Sequence, residues 1–333
     1  MDINDRREGY FMKLLENVDG YKVYDPMFES VRIVMNYIGE SYSYQYIQGI
    51  SGSAFRVATG CPSQPTSCNM MWVTGLIKLL GYEYMEYPCF GANNENLMSE
   101  MISAVIAQID AGKPAIVWHA LTSAEWDVVN GYDEGHKLFY GRGTSRSYES
   151  NNCEPWDRAA RAIEICPAFG AITVGAKTGS FDAKKAEIAA LHDAVAHART
   201  VKDNPEAGGW YSYEGIQSLR KWSEAYSKPG KERDLADGYC FLVYQSTHGA
   251  AAGFLREIAP KYTVEAGELL LKAAGIMEEE AKTFSECSPY IGMNSPWGVN
   301  EERSRLVAPL LGKTADLYEK AIECLEKALA IIE

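Results

Sequence analysis

The chain has no long run of apolar residues and a shortage of positive charge. No stretch approaches the roughly 20 apolar residues that a membrane-spanning helix requires, and the N-terminal octapeptide MDINDRRE has no apolar core of the kind found in signal peptides. The 32 Lys and Arg residues face 45 Asp and Glu residues, for a net charge of −13. That charge repels phosphate backbones and anionic lipid surfaces. We therefore expect a cytoplasmic protein with no nucleic-acid partner and no membrane partner.

The sequence also lacks the spacings that mark metal, disulfide and nucleotide sites. The eight cysteines include no Cys-x-x-Cys pair, so neither a disulfide framework nor a zinc ribbon is indicated. His192 and His197 are five residues apart, which is a poor spacing for joint metal binding on one helix face. No glycine-rich phosphate loop follows a predicted strand. We expect no cofactor and no metal.

The remaining composition is ordinary for a globular protein of two domains, with 333 residues, 47% hydrophobic and 23% charged. Apolar periodicity predicts an α+β domain over 1–177, with helices packed on an antiparallel sheet, and an all-α helical bundle over 178–333. The predicted elements are helices at 26–38, 69–80 and 95–111, strands at 114–119, 126–132, 137–140 and 171–175, and helices near 210–226, 232–258, 262–285 and 301–332.

The first predicted helix has clear start and stop signals. Asp25 can cap it, Pro26 suits the first helical position, and Gly39 ends it. Exposed backbone N–H groups and the helix dipole make such an N-terminus suitable for holding a nucleophile or an oxyanion. The family resemblance described below implies a candidate site at the start of this helix.

Two blocks of sequence resemble a known family. The run NYIGESYSYQYIQGISGSAFR, at 36–56, and the predicted hairpin EWDVVNGYDEGHKLFY, at 125–140, are similar to segments of the butirosin biosynthesis protein H-like family, within the papain-like and bacteriocin-leader-type cysteine peptidase superfamily. The resemblance implies a papain-like first domain and an acyltransferase or amide-hydrolase ancestry.

The residues at the reactive positions of that family are different here. Counting back from Tyr37-Ile-Gly39, the position of the cysteine falls at Pro26, with Asp25 and Met27 beside it. The position of the histidine falls at Glu125, or at Trp126 in a register shifted by one, and the third member falls near 141–143. Because loss of triad members removes about 10⁴ to 10⁶ in rate, a conventional cysteine mechanism is not expected.

Several residues remain candidates for the site. Glu125, near Asp25 and the start of the first helix, could bind an amine or act as a base, or it is a solvated glutamate at the end of a strand. His119 ends a predicted core strand and is either a base at the cleft or a satisfied core histidine. Cys61 and Cys68 bracket a Pro-rich loop and could supply a displaced thiol, although inert thiols are the favoured interpretation. Arg56, Arg142 and Tyr132 are candidates for substrate binding.

Two functions follow from these candidates. The favoured one is a catalytically degenerate papain-like protein that binds a peptide, an amine or an acylated small molecule in the former catalytic cleft. The alternative is an active acyltransferase or amide hydrolase that uses relocated groups. The last predicted helix carries an apolar stripe that suits its own core or a homodimer partner, and the core is favoured.

Overall fold

The computed structural model describes residues 11–59, 71–89, 95–144, 151–161, 167–201 and 213–333. They fall into two compact units, one formed by Met1–Ser43 with Trp72–Phe181 and the other by Tyr44–Met71 with Asp182–Glu333. The first unit is α+β and the second is mainly helical, which confirms the predicted fold class. Residues 44–59 pack in the helical unit, whereas the sequence placed them with the first domain.

The first unit contains most of the strands. Its helices and strands are β1 (Met12–Leu14), α1 (Pro26–Tyr37), α3 (Val73–Leu79), β3 (Tyr82–Tyr87), α4 (Glu95–Asp110), β4 (Ala115–Trp118), β5 (Trp126–Asp133), β6 (Leu138–Arg142), β7 (Asn152–Pro155) and β8 (Ala171–Lys177).

One antiparallel sheet organises this unit. Its strand order is β3-β8-β4-β5-β6-β7, and β1 pairs with the far end of β5. Strand β5 is buried along its whole length, as expected for a central strand. The pairing of Trp118 with Trp126 closes the β4–β5 hairpin at one end of the strand. The antiparallel sheet that the sequence predicted is therefore present.

Helix α1 lies in the core of the first unit. Pro26 occupies the first helical position, and every residue from Pro26 to Met35 is buried. The helix contacts β4, β5 and α3. Its N-terminus therefore lies within the packed part of the unit, where charged side chains lose contact with water.

The second unit is built from long helices. Its helices and short strands are α2 (Tyr44–Ile50), β2 (Ala58–Thr59), α5 (Ala183–Ala198), β9 (Tyr213–Glu214), α6 (Gly215–Ser227), β10 (Glu232–Arg233), α7 (Leu235–Ile258), α8 (Val264–Ser285), α9 (Ser288–Ile291), β11 (Gly298–Val299) and α10 (Glu301–Ile332).

Helix α10 is the longest element and packs against α5, α6 and α8. Of the apolar stripe predicted from its sequence, Leu317, Ala321, Cys324 and Ala328 are buried and Ile331 is half-buried. Core packing therefore accounts for the first four, and a homodimer stays a prediction. In the described part of the chain, no helix has both the length and the apolar character needed to cross a membrane.

Candidate functional site

The turn between β4 and β5, residues 119–125, is held by several hydrogen bonds. His119 N donates to Glu125 O at 2.7 Å, and Ala124 N donates to His119 Nδ1 at 2.9 Å. His119 and Ala124 both have positive φ, at 56° and 60°. Non-glycine residues adopt this conformation at a cost and only where the surroundings fix it. The hydrogen bonds of the turn therefore fix the positions of the side chains at the start of β5.

His119 lies just past the end of β4 with 7% of its surface exposed. Burial lowers the pKa of its imidazole to about 4, and the positive charges of Arg158 and Arg161 lower it further. Its Nδ1 accepts a hydrogen bond from the main chain, so the neutral ring is the form that the turn requires. A base with this pKa is weak at neutral pH, and the geometry favours the core-histidine alternative.

Asp127, the second residue of β5, is a buried carboxylate that binds the turn. It is fully buried, and its Oδ2 accepts from Leu121 N at 2.7 Å and from Thr122 N at 2.9 Å. The second oxygen, Oδ1, is buried without a hydrogen bond of full geometry among the described residues, and the side chain of Thr122 lies close enough to lower the pKa of the carboxyl. Burial raises the pKa of this carboxyl to about 7, against the two N–H donors. Asp127 can therefore take up or release a proton near neutral pH.

Thr122 and Asp127 approach the backbone of Gly143 so closely that no larger residue fits there. A Cβ added at Gly143 would lie 2.9 Å from Asp127 Oδ1 and 2.3 Å from Thr122 Oγ1. Residues 141–143 are where the resemblance places the third member of the family's triad. The carboxyl of Asp127 thus reaches from β5 to a position where a side chain of residue 143 would collide with it.

A second pair of buried carboxylates lies at the start of α1. Asp25 is 1% exposed and Glu29 is 0% exposed. Glu29 pairs with Arg32 at 2.7 Å, while its second oxygen, Oε2, is buried without a hydrogen-bond partner among the described residues. Burial raises the pKa of Glu29, Arg32 opposes that rise, and the charge of Asp25 adds to it. Arg32 also binds Asp19, at 2.6 Å, so its charge is shared.

Tyr21 connects the helix to the hairpin. Its hydroxyl donates to Trp126 O at 2.7 Å. Burial raises the pKa of this phenol, and the negative charges of Asp127, Glu29 and Glu125 raise it further. We call Glu29, Glu125 and Asp127, which act on Tyr21, together with Asp25, which acts on Glu29, the carboxylate cluster. The two carboxylates that the sequence predicted, Asp25 and Glu125, are both members.

Four aromatic rings lie beside the hairpin. Trp118 and Trp126 pack at 5.5 Å between centroids, and Phe169 lies 4.9 Å from Trp118. Trp72 joins them at 5.7 Å from Trp126 and is 37% exposed. The indole N–H groups of Trp118 and Trp126 are buried without hydrogen-bond partners among the described residues. These aromatic side chains flank the two strands that carry His119, Glu125 and Asp127.

The other predicted residues have different surroundings. The hydroxyl of Tyr132 donates to Asp110 Oδ1 at 2.9 Å, and Arg142 donates to Val18 O at 2.9 Å. Arg56 belongs to the second unit, where it pairs with Asp193 at 2.6 Å. Cys61 and Cys68 lie outside the described residues, so a relocated thiol stays a prediction. None of these residues is brought into the carboxylate cluster.

The carboxylate cluster does not have the geometry of a metal site. Over the described ranges, no group of three or more His, Cys, Asp or Glu side chains converges closely enough to hold a metal ion. The carboxylates are instead distributed around a phenol and two strand ends.

Two members of the cluster were missed in the sequence. Glu29 lies four residues after Asp25, a spacing that places both on one face of the helix. Asp127 lies two residues after Glu125, on the same face of the strand. A carboxylate inside the otherwise apolar run Trp126-Asp-Val-Val129 was therefore an available signal.

Comparison with known proteins adds no family assignment. Neither the models of known protein families nor the curated proteins contain a match to this sequence.

Proposed function

We propose that the first unit binds a cationic amine, as a small molecule or as the amino group of a peptide, at the carboxylate cluster. The observation that carries this proposal is the charge balance of buried groups. Four carboxylates are at most 3% exposed, and the buried cation among the described residues of this unit is Arg32. Arg32 is already shared by Glu29 and Asp19. A bound ammonium ion would offset the negative charge of Asp127 when that carboxyl is ionised.

The unfilled oxygens support the same proposal. Asp127 Oδ1 and Glu29 Oε2 are buried acceptors without hydrogen-bond partners among the described residues. An ammonium group offers three donors and no acceptor, so it matches a site rich in acceptors. A papain-like ancestry, in which this region is the cleft, remains part of the proposal.

The test compares a free amine with its acylated form. Isothermal titration of the intact chain would use alanyl-alanine amide and N-acetyl-alanyl-alanine amide, with putrescine and 1,4-butanediol as a second pair. We expect the free amines to bind at least about 10-fold more tightly, since truncating one partner of a buried charge pair costs about 2–5 kcal/mol. Binding should strengthen from pH 6 to pH 8, because Asp127 ionises with a pKa of about 7.

Variants identify the site. Asp127→Asn and Glu125→Gln should each weaken amine binding by about 10-fold or more. Glu83→Gln, which alters an exposed carboxylate on β3, is the matched control and should bind as the parent does. Equal binding of the free and acetylated peptides, or unchanged binding by both cluster variants, would remove the basis for this proposal.

The alternative, acyl transfer to an amine, is favoured by one observation. Asp127 has a pKa of about 7, so its carboxylate can accept the proton of an amine as the nitrogen attacks a thioester carbonyl. An amide bond forms, the carbon–sulfur bond breaks, and the departing thiolate takes up a proton to become a thiol. Supplying an acyl thioester together with the bound amine, and measuring amide product and free thiol, tests this reaction. Intact-mass analysis after iodoacetamide would show whether Cys61 or Cys68 is a reactive thiol.

A cytoplasmic location is also proposed. It is supported by the free thiols of Cys89, Cys153, Cys240, Cys287 and Cys324, because reduced cysteines are typical of the cytosol. The proposed partner is a small molecule or peptide, with no nucleic acid and no membrane, in line with the acidic charge of the chain. A homodimer through the helical half stays a prediction.

A further inference from the structure

Arg233, in β10 of the second unit, is a buried cation whose hydrogen-bonding capacity is only partly used. It is 1% exposed. Its Nη2 donates to Gly292 O at 2.6 Å and to Met293 O at 3.2 Å. Its Nε and Nη1 are buried without hydrogen-bond partners among the described residues. A buried arginine normally has a carboxylate or a full set of acceptors, because an unpaired charge is costly away from water.

Nearby acidic groups do not fill this gap. Asp237 is the buried carboxylate on the adjoining turn of α7, and it is bound by Lys231 at 2.7 Å and by Trp222 Nε1 at 2.7 Å. Asp237 also accepts from Asp234 N at 3.1 Å. Throughout the described ranges, no carboxylate oxygen lies within ion-pair distance of the Arg233 guanidinium. The counter-charge of Arg233 is therefore missing from its own surroundings.

A second arginine fixes the same loop, residues 292–299. Arg303, at the start of α10, is 5% exposed and donates to Gly298 O at 2.9 Å and to Pro296 O at 2.6 Å. Its two terminal nitrogens both have acceptors, in contrast to those of Arg233. Hydrogen bonds to the loop carbonyls therefore account for both terminal nitrogens of Arg303. They do not account for Nε and Nη1 of Arg233.

Space for the Arg233 guanidinium is provided by a glycine in a helix. A Cβ added at Gly238 of α7 would lie 2.3 Å from Arg233 Nη2 and 3.2 Å from Met293 Sδ. Glycine within a helix is destabilising relative to alanine. The close approach of the guanidinium to the helix backbone accounts for a glycine at this position.

The face of the guanidinium is covered by an exposed aromatic ring. Trp297 lies over Arg233 with 4.9 Å between Cζ and the ring centroid, and it is 63% exposed. Met293 is 40% exposed and Val299 is 51% exposed on the same loop. Stacking occupies the face of a guanidinium and leaves its in-plane N–H donors for an acceptor. The surroundings thus combine unused donors with apolar surface beside them.

We propose that Arg233 is the centre of a binding site for a small carboxylate ligand with an apolar or aromatic tail. The carboxylate accepts hydrogen bonds from Nε or Nη1, and the tail lies against Trp297 and Met293. A carboxylate matches a guanidinium in charge and in planar geometry. This site is in the second unit and does not depend on the amine site proposed for the first.

The test is isothermal titration of the intact chain with phenylacetate. 2-Phenylethanol and 2-phenylethylamine are matched probes that keep the ring and change the charge. We expect phenylacetate to bind and the two matched probes to bind at least 10-fold more weakly, because burying an unpaired alcohol or a second cation beside Arg233 is unfavourable. Acetate in excess should compete with phenylacetate.

Three variants locate the binding. Arg233→Met should weaken phenylacetate binding by about 100-fold, and Arg233→Lys by about 10-fold, because lysine keeps the charge and loses the planar arrangement of donors. Trp297→Ala alters an exposed side chain and should weaken phenylacetate binding by about 10-fold while acetate binding changes little. Arg256→Met, at an exposed arginine of α7, should bind as the parent does.

Circular dichroism would first show that each variant is folded. If Arg233→Met does not fold, Arg233→Lys and Trp297→Ala still decide the question. No binding of phenylacetate to the folded parent at millimolar concentration, equal binding of phenylacetate and 2-phenylethanol, or parent-like affinity in both of these variants would overturn the proposal.

Discussion

Buried polar side chains are used differently in the two units. In the second unit, Tyr318, His248, His197 and Tyr244 bond to the main chain of residues 55–58. In the first unit, the carboxylates of Asp127 and Glu29 accept from main-chain N–H groups through one oxygen, while the other oxygen has no partner among the described residues. Glu280 Oε2 of the second unit is also buried without a partner among them. A polar group whose partners are backbone atoms of its own chain serves the fold.

The second unit shows how completely a segment can be held by side chains. His248 Nε2 lies 3.2 Å from Arg56 O, and its Nδ1 lies 3.0 Å from Glu280 Oε1. Burial is the largest influence and lowers the pKa of this imidazole, but the carboxylate of Glu280 and the hydrogen bond to Arg56 O together raise the pKa above its usual value. His197 Nε2 lies 3.0 Å from Val57 N. Residues 44–59 therefore belong to the helical unit through directed bonds as well as through apolar packing.

The largest expected effect is the loss of a filled buried pair. His248→Leu would leave Glu280 buried without its cationic partner, so the free energy of unfolding should fall by about 3–5 kcal/mol at neutral pH. Arg256→Met is the control, because Arg256 also joins α7 to α8, through Glu278, but both side chains are about half exposed or more. Loss of this exposed ion pair should lower the free energy of unfolding by at most about 1 kcal/mol.

Hydrogen exchange of α7 and α8 peptides measures the change in stability for both variants. Equal losses of stability in the two variants would contradict the structural role of the buried pair.

A smaller effect is expected from one hydrogen bond to the segment. Tyr318→Phe removes the hydroxyl that donates to Phe55 O and leaves that carbonyl buried and unfilled. The unfolding free energy of the second unit should fall by about 1–3 kcal/mol. Tyr262→Phe, whose hydroxyl reaches Glu187 at 3.3 Å in a partly exposed setting, should cost less than half as much. Urea unfolding followed by circular dichroism would compare the two variants. If Tyr318→Phe leaves the free energy of unfolding unchanged, this hydrogen bond does not help to hold residues 55–58.

In the first unit, we expect replacement of a buried carboxylate, that of Asp127, to raise the stability of the fold. The pKa of Asp127 is about 7 in the folded chain, against 3.8 normally, so folding keeps a proton on this carboxyl that the unfolded chain releases. Stability therefore falls as the pH rises from about 4 to about 7. Asp127→Asn should raise the unfolding free energy by about 1–2 kcal/mol at pH 8 and by little near pH 4. Hydrogen exchange of β5 peptides at both pH values measures this.

Such a gain in stability would show that the carboxylate of Asp127 is kept at a cost to the fold, as expected for a binding residue. Glu83→Gln should change stability equally little at both pH values. If Asp127→Asn is destabilising at pH 8, the carboxylate serves the β4–β5 turn instead, through its bonds to Leu121 and Thr122.

The smallest effect is expected from His119. Its pKa is about 4 in the folded chain, against 6.5 normally, so the unfolded chain binds a proton that the folded chain does not. The stabilising contribution is complete above about pH 6.5 and is lost as the pH falls toward 4. His119→Gln should make the stability of the first unit less dependent on pH across that window, by about 1 kcal/mol at pH 5.

Comparing the pH dependence of His119→Gln with that of the parent isolates this group from Asp127, whose dependence has the opposite sign. Nuclear magnetic resonance of the imidazole provides a direct check, because the ring should remain neutral at pH 5.5. A ring that is protonated there would place His119 in contact with water.

Much of the fold could be predicted from the sequence, because local patterns determine it. The apolar face and Pro26 locate α1 at Pro26–Tyr37, close to the predicted 26–38. Predicted strands at 126–132 and 137–140 correspond to Trp126–Asp133 and Leu138–Arg142. Periodicity and turn residues act over a few positions, so they can be read without knowing the rest of the chain. The papain-like identity of the first unit stays a prediction.

The candidate site could be predicted only in part. Asp25 and Glu125 were identified by their positions relative to a helix start and a strand start, and both belong to the carboxylate cluster. Asp127 was missed because its importance depends on burial and on an oxygen left without a partner, which no local pattern reports. Arg56 was placed with the first domain, yet its ion pair with Asp193 spans 137 positions of sequence within the second unit.

The sequence by itself determined the α+β and helical composition, the acidic charge, and the positions of most helices and strands, since these depend on residue type and short-range periodicity. Only the tertiary structure decided that residues 44–59 join the helical unit, that three carboxylates act on Tyr21, and that Arg233 is buried beneath Trp297. These features depend on contacts between residues far apart in the chain, where burial changes the energy of a charge by several kcal/mol.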